Sequence, residues 1–343
     1  MDASETRILS AGTALPGPPV DNAALARRFG MDALWEQWID AFVGTRTRHL
    51  SVDLDSGAIR ATLADLGESA ARRALESAGL RASDIDLVVM GTATPDTLMP
   101  TTVNVIADRL GINDVPTYQL QSGCAGAVQA LEVGRRMLLS GGHRHALVIA
   151  GDSCAKHFDL DADLRTMPPA ELVNVVLFGD GAGAAVLSAE QVPATVALRR
   201  VMTRFTGLGR PPGQVVEWFG RAELDSGRAA VSEDYKAIEE RVPAMAREVM
   251  EEFLSDLGWK GSEVEYVLPP QLSGRMTRRI AAELDLVGAE EISCVAETGN
   301  CGNALAFFQL ERLLPELDRD DRAIGIAIES SKWIKAGFAL ERR

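Results

Sequence analysis

No stretch of this 343-residue chain is apolar for the ~20 residues that a bilayer-spanning helix needs. Its first residues, Met1-Asp2-Ala3-Ser4-Glu5-Thr6-Arg7, hold no basic segment followed by an apolar core, so no secretory signal is expected. Cysteine is scarce: Cys124, Cys154, Cys294 and Cys301 form no CxxC pair and no Cys/His cluster at zinc-ligand spacing. A disulfide scaffold is excluded, no metal site is expected, and reduced thiols in the cytoplasm are the expectation. Histidine is equally scarce, at positions 49, 143, 145 and 157. Positive charge is short, with 35 basic against 49 acidic residues and a net charge of −14, which repels nucleic acid and anionic membranes. Low-complexity sequence is absent. What remains is a chain of 46% hydrophobic and 24% charged residues, long enough to bury a large core without covalent staples.

Short apolar runs alternate with helical patterns. Ile85-Asp86-Leu87-Val88-Val89-Met90-Gly91, Ala146-Leu147-Val148-Ile149-Ala150-Gly151 and Gly183-Ala184-Ala185-Val186-Leu187-Ser188 read as buried strands. Residues 59–78, 102–110 and 125–139 read as the helices between them. The alternation predicts βαβ units and a mainly parallel sheet. The second part repeats the scheme, which implies a duplicated α/β fold with halves at 1–200 and 214–343, joined by the Pro/Gly/Arg-rich stretch 203–213.

The most informative segment is Gln121-Ser122-Gly123-Cys124-Ala125-Gly126-Ala127. It follows a strand pattern and opens a helix pattern, where unpaired backbone N–H groups and the helix dipole favour a thiolate. Small neighbours let a substrate reach the sulfur. This arrangement suits covalent acyl transfer from a thioester; the alternative is a small buried core cysteine. Phe178-Gly179-Asp180-Gly181-Ala182-Gly183 is glycine-rich but lacks GxGxxG spacing and leads into a strand, so its glycines serve close packing and no nucleotide cofactor is expected.

These segments resemble the β-ketoacyl-acyl-carrier-protein synthase III group of the thiolase superfamily over nearly the whole chain. Trp38-Ile39 with Gly44-Thr45-Arg46-Thr47-Arg48-His49 is similar to the family's N-terminal signature, and Ser122-Gly123-Cys124-Ala125-Gly126 to its nucleophile turn. Phe178 to Ala184 resembles its glycine-rich strand. Leu268-Pro269-Pro270-Gln271 and Gly299-Asn300 fall where the family carries two catalytic motifs. The resemblance implies a thiolase-like five-layered αβαβα fold, a homodimer, Cys124 as acyl carrier and Asn300 as donor to the second substrate's carbonyl. No cofactor is implied beyond a CoA or acyl-carrier-protein thioester as substrate. It also implies a CoA-binding entrance with Trp38, Lys156 and Arg275, an arginine position taken by Phe42, and Met99 reaching the partner's acyl pocket.

The family's Pro-His-Gln-Ala-Asn motif reads Pro269-Pro270-Gln271-Leu272-Ser273 here, so a proline side chain with no donor or acceptor stands at the histidine position. The family's glycines near the oxyanion site are Glu329-Ser330-Ser331-Lys332. Losing one oxyanion donor costs on the order of 3–4 kcal/mol, which disfavours ordinary decarboxylative condensation more than acylation of Cys124. The reading is therefore an acyltransferase moving an acyl group through Cys124 to an acceptor in specialised biosynthesis. Two alternatives stay open: a decarboxylative ketosynthase, and a non-catalytic partner of a complete ketosynthase. Glu297 is the candidate replacement base, ahead of the loop residue His157. Cys301 is expected to pack, and Asn303 to cap the following helix.

Overall fold

A computed structural model of the chain describes residues 5–167, 169–191, 195–218 and 231–343. Its centre is a ten-stranded sheet. The strands, in chain order, are β1 (Thr6–Ala14), β2 (Leu87–Thr92), β3 (Thr117–Gln121), β4 (His145–Asp152), β5 (Gly181–Ser188), β6 (Val196–Phe205), β7 (Tyr266–Leu268), β8 (Glu290–Glu291), β9 (Arg322–Glu329) and β10 (Ile334–Arg342). The spatial order is β8-β7-β9-β10-β6-β1-β5-β4-β2-β3. Read from the middle outwards, β1-β5-β4-β2-β3 and β6-β10-β9-β7-β8 are the same five-strand arrangement, so the duplication is a fact of topology. The two copies meet where β1 pairs with β6, Thr6 opposite Leu198.

Two expectations change. β6 opens the second copy, so the copies join before Val196 and not at 203–213. The sheet is also mixed. β4–β2, β2–β3, β9–β7 and β7–β8 are parallel; the pairs nearer the middle of the sheet are antiparallel. β9 and β10 are linked by only four residues, too short for a crossover, and such a link can join only antiparallel strands.

Successive strand residues feed different cores. Leu87 and Val89 face an inner core with Val128, Leu131, Phe307 and Leu310. Val88 and Met90 face an outer core with Ala70, Ala74 and Ile106. Burial on both faces is why these strands read as continuous apolar runs. The inner core is built on α3 (Gly126–Leu139) and α6 (Leu305–Leu313). The outer layers are α1 (Leu63–Ala78) with α2 (Thr102–Leu110) on one copy, and α4 (Tyr235–Leu257) with α5 (Gly274–Leu284) on the other. The result is five layers, α/β/α/β/α.

Local chemistry sets the helix ends. Thr62 and Asp65 form a capping box at the start of α1, and Gly79 closes it at φ 66°. Asp234 caps α4 and Ser273 caps α5. No described helix is long and apolar enough to cross a membrane.

Candidate active site

The parallel strands point their carboxyl ends at one region, the usual place for a site in such sheets. Cys124 follows β3, Asp152 ends β4, Pro270 follows β7 and Glu329 ends β9. Asn300 arrives on the loop before α6. That loop comes close because Gly179 faces it: a Cβ at Gly179 would lie 2.5 Å from the Thr298 carbonyl oxygen. Close packing is thus what the glycine-rich segment provides there.

A buried network holds the turn that carries Cys124. The Asp152 carboxylate accepts from Thr92 Oγ1 (3.1 Å), the Ala93 N–H (2.8 Å), Thr94 Oγ1 (2.9 Å), and the backbone and side-chain amides of Asn303 (2.8 Å each). Asn303 Nδ2 also donates to the Ser122 carbonyl at 2.9 Å. Asn303 is therefore not a helix cap; it ties β4 to the turn carrying Cys124. Gln271 Oε1 accepts from the N–H groups of Cys294 (2.9 Å) and Val295 (3.0 Å) and so fixes the loop leading to Asn300. Asn300 Oδ1 accepts from the Gly302 N–H at 3.0 Å, which orients its amide.

Three cavities meet at Cys124. One of about 420 Å³ is lined by Cys124, Cys154, His157, Asn174, Phe178 and Val231, among others. A second, of about 30 Å³, brings together Cys124, Asn300, Glu233, Gln214, Tyr235 and Ser273. The third, also about 30 Å³, places Pro270 and Leu272 beside Cys124. A further pocket of about 280 Å³ holds Trp38, Phe42 and Arg275 and shares Tyr235 and Ser273 with the Cys124–Asn300 cavity. The Arg275 guanidinium lies 5.7 Å from the Phe42 ring centroid. The Trp38–Arg275 pocket thus adjoins the cavity that holds Cys124 and Asn300.

The thiol differs from its expected state. α3 begins at Gly126, two residues after Cys124, and burial pushes the Cys124 thiol up to about 12, with Glu329, Asp152 and Glu233 adding repulsion. Desolvation and carboxylates outweigh the helix terminus, so the resting sulfur is protonated at neutral pH. Glu329 is buried against the turn, accepting from Ser122 Oγ at 2.7 Å and from Ser331 Oγ.

Two expected residues, Glu297 and Lys156, lie elsewhere. Glu297 pairs with Arg46 and with Arg312 (3.6 Å) near the surface and lines none of the described cavities at Cys124. It sits on the one-turn helix Val295–Thr298, which turns its carboxylate toward these two arginines. Lys156 donates its Nζ to the carbonyls of Thr94 (2.6 Å) and Pro95 (2.8 Å), away from the Trp38–Arg275 pocket. Met99 is 88% exposed and lines none of the described cavities. Cys301 is buried, its Sγ 3.3 Å from the Thr298 carbonyl oxygen. His145 opens β4 and is buried. His49 Nδ1 meets the Gly17 carbonyl at 3.1 Å. His157 does line the 420 Å³ cavity at Cys124, where its Nε2 and Asn174 Oδ1 are buried without hydrogen-bond partners. Asp152, Glu233 and Glu329 carry no motif; a buried carboxylate is recognisable only once its neighbours are known. Among the described residues no group of His, Cys, Asp and Glu could hold a metal ion.

The family model described as 3-oxoacyl-[acyl-carrier-protein] synthase III matches residues 118–202. The β-ketoacyl-[acyl-carrier-protein] synthase III of Neisseria meningitidis serogroup A is 29% identical over 300 residues, 87% of each chain. The solved structure of AbyA1, a tetronic acid condensing enzyme, is 63% identical, covering 98% of this chain and 99% of that one, with a TM-score of 0.96. The 3-oxoacyl-(acyl carrier protein) synthase III of Pseudomonas aeruginosa is 26% identical, covering 98% of each chain, with a TM-score of 0.84. With its duplicated five-layered fold and a cysteine at the turn into a central helix, the chain belongs to the β-ketoacyl-acyl-carrier-protein synthase III-like condensing enzymes of the thiolase superfamily.

Proposed function

We propose that this protein carries an acyl group on Cys124, taken from a CoA or acyl-carrier-protein thioester, and joins it to a second thioester in forming a tetronic acid or a similar specialised product. The observation that carries this reading is that Cys124 and Asn300 line one cavity while Pro270 occupies the neighbouring position. The likeness to AbyA1 supports the product class. A tetronic acid is a five-membered lactone bearing an enolised 1,3-dicarbonyl. Building one from two thioesters takes a carbon–carbon and a carbon–oxygen bond. A carbon flanked by two carbonyls loses its proton without losing carbon dioxide, so the chemistry does not require the donor that Pro270 lacks.

In this mechanism the thioester arm passes Trp38 and Arg275, and its carbonyl reaches Cys124. Sulfur attacks, the carrier thiol departs, and the acyl chain lies in the large cavity. Asn300 Nδ2 then donates to the carbonyl of the second substrate as negative charge develops on it. The functional unit is a homodimer: β3 is a sheet edge, α2 is bonded to it (Val103 N–H to Gln119 Oε1, 3.1 Å), and Leu98 and Met99, just before α2, are exposed apolar side chains.

Intact-mass measurement after incubation with acetyl-CoA, octanoyl-CoA and acylated carrier protein tests the first step. One acyl adduct is expected on the native protein and none on C124A. No adduct from any donor, or an undiminished one in C124A, removes the reading and favours a non-catalytic partner. Release of labelled carbon dioxide from malonyl thioester, dependent on Cys124, would replace it with decarboxylative condensation.

A further inference from the structure

We propose that Glu233 is the proton acceptor for Cys124, an acid–base role filled from the short strand that covers the nucleophile and distinct from the donor missing at Pro270. The inference rests on Cys124 being the acyl carrier. Glu233 ends the short strand Val231–Glu233, which pairs with Gln214–Val216 so that Glu233 lies opposite Gln214. This two-stranded ribbon covers the nucleophile: Gln214, Val216 and Val231 line the large cavity with Cys124, and Gln214 and Glu233 line the small one with Cys124 and Asn300. The ribbon is anchored to the turn after β9 by the Gly213 N–H, which donates to the Ser330 carbonyl at 3.0 Å. The Gln214 side-chain amide donates to Glu233 Oε1 and holds the carboxylate over the cavity.

The cavity between them, about 30 Å³, has room for one water molecule. As Sγ bonds to the thioester carbonyl carbon, the Sγ–H proton passes through that water to Glu233. When the tetrahedral intermediate collapses, the bond from carbon to the carrier sulfur breaks, and the proton returns from Glu233 to the departing thiolate. One thiol is consumed, one is released, and nothing is oxidised or reduced. The titratable groups that act on or with Glu233 from the packed elements are Cys124 from the turn before α3 and Tyr235 from the start of α4; Gln214 is the neutral donor on the partner strand. Burial raises the Glu233 carboxyl to about 7, which makes both protonation states accessible near neutrality. Glu329, by contrast, is engaged by Ser122 and Ser331 and does not line the cavity.

The test is the rate of Cys124 acylation by octanoyl-CoA and acetyl-CoA, read by intact mass between pH 5 and 9. The native protein is expected to slow as pH falls through about 7. E233Q is expected to be slower by at least about 100-fold and to lose this limb, while E233D, which keeps the carboxylate, recovers part of the rate. Near-ultraviolet circular dichroism at pH 5 checks that each variant is folded. Should E233Q not fold, an E233D limb at the native position and an undiminished rate overturns the proposal. E233Q with the native rate and limb also overturns it, as does a limb that persists in E233Q and vanishes in H157N. Absence of any adduct on the native protein removes the acyl-carrier reading and this inference with it.

Discussion

Cys124, the acyl carrier proposed above, sits in a resting environment that opposes its ionisation. Half-buried and repelled by Glu329, Asp152 and Glu233, the thiol keeps its proton at neutral pH. Of these carboxylates Glu329 adds the largest repulsion, so E329Q should lower the thiol's pKa. One unit of lowering corresponds to an about tenfold faster reaction with iodoacetamide at pH 8, measurable by mass spectrometry. Glu233 also has a stability consequence. Its folded value of about 7 lies above its ordinary 4.5, so the folded state holds this proton more tightly than the unfolded state. Its contribution is most favourable below pH 4.5 and is lost as pH rises through about 7. At pH 8 the buried charge costs on the order of 3 kcal/mol. E233Q should therefore gain stability relative to the native protein at pH 8 but not at pH 4.5, as read by urea unfolding.

Among the elements, the decisive contacts lie between pieces distant in sequence. Asp152 at the end of β4, Asn303 before α6 and Ser122 before α3 form one polar junction, buried from water. N303A would strip Asp152 of a donor and leave the Ser122 carbonyl unpaired. A loss of about 2–4 kcal/mol is expected, because a buried carboxylate with too few donors is costly. Thermal unfolding measures that loss, and slower acylation of Cys124 in the folded fraction would report the displaced turn. Sequence reasoning located Cys124, Pro270 and Asn300 because each sits in a run of recognisable order. It set Glu297 at the site by proximity to Asn300 in the chain and Lys156 by resemblance to the family's CoA entrance, whereas Arg46 and Arg312 claim the first and backbone carbonyls of Thr94 and Pro95 the second. Glu233 escaped notice because a three-residue ribbon strand has no periodicity to mark it.

At the scale of the molecule, the duplicated copies share one ten-stranded sheet whose outer edges are β3 and β8. β8 is two residues long and offers little to pair with, whereas β3 has five. The homodimer proposed above would form across the β3 side, with exposed Leu98 and Met99 in its contact. Sedimentation velocity should give twice the chain mass, and M99D should shift the protein toward monomer by placing a charge in the apolar contact. A native protein that sediments as a monomer at micromolar concentration would contradict this assembly.

The sequence by itself determined the alternation of strands and helices, the two-copy plan, the cysteine at a strand-to-helix turn and the proline beside it, because each is written in local order or periodicity. Tertiary structure alone decided the antiparallel centre of the sheet, the point where the copies join, the protonated state of the sulfur and the carboxylates around it. Those depend on burial and on through-space neighbours separated by as many as 207 residues, as Ser122 is from Glu329, and no local pattern encodes such distances.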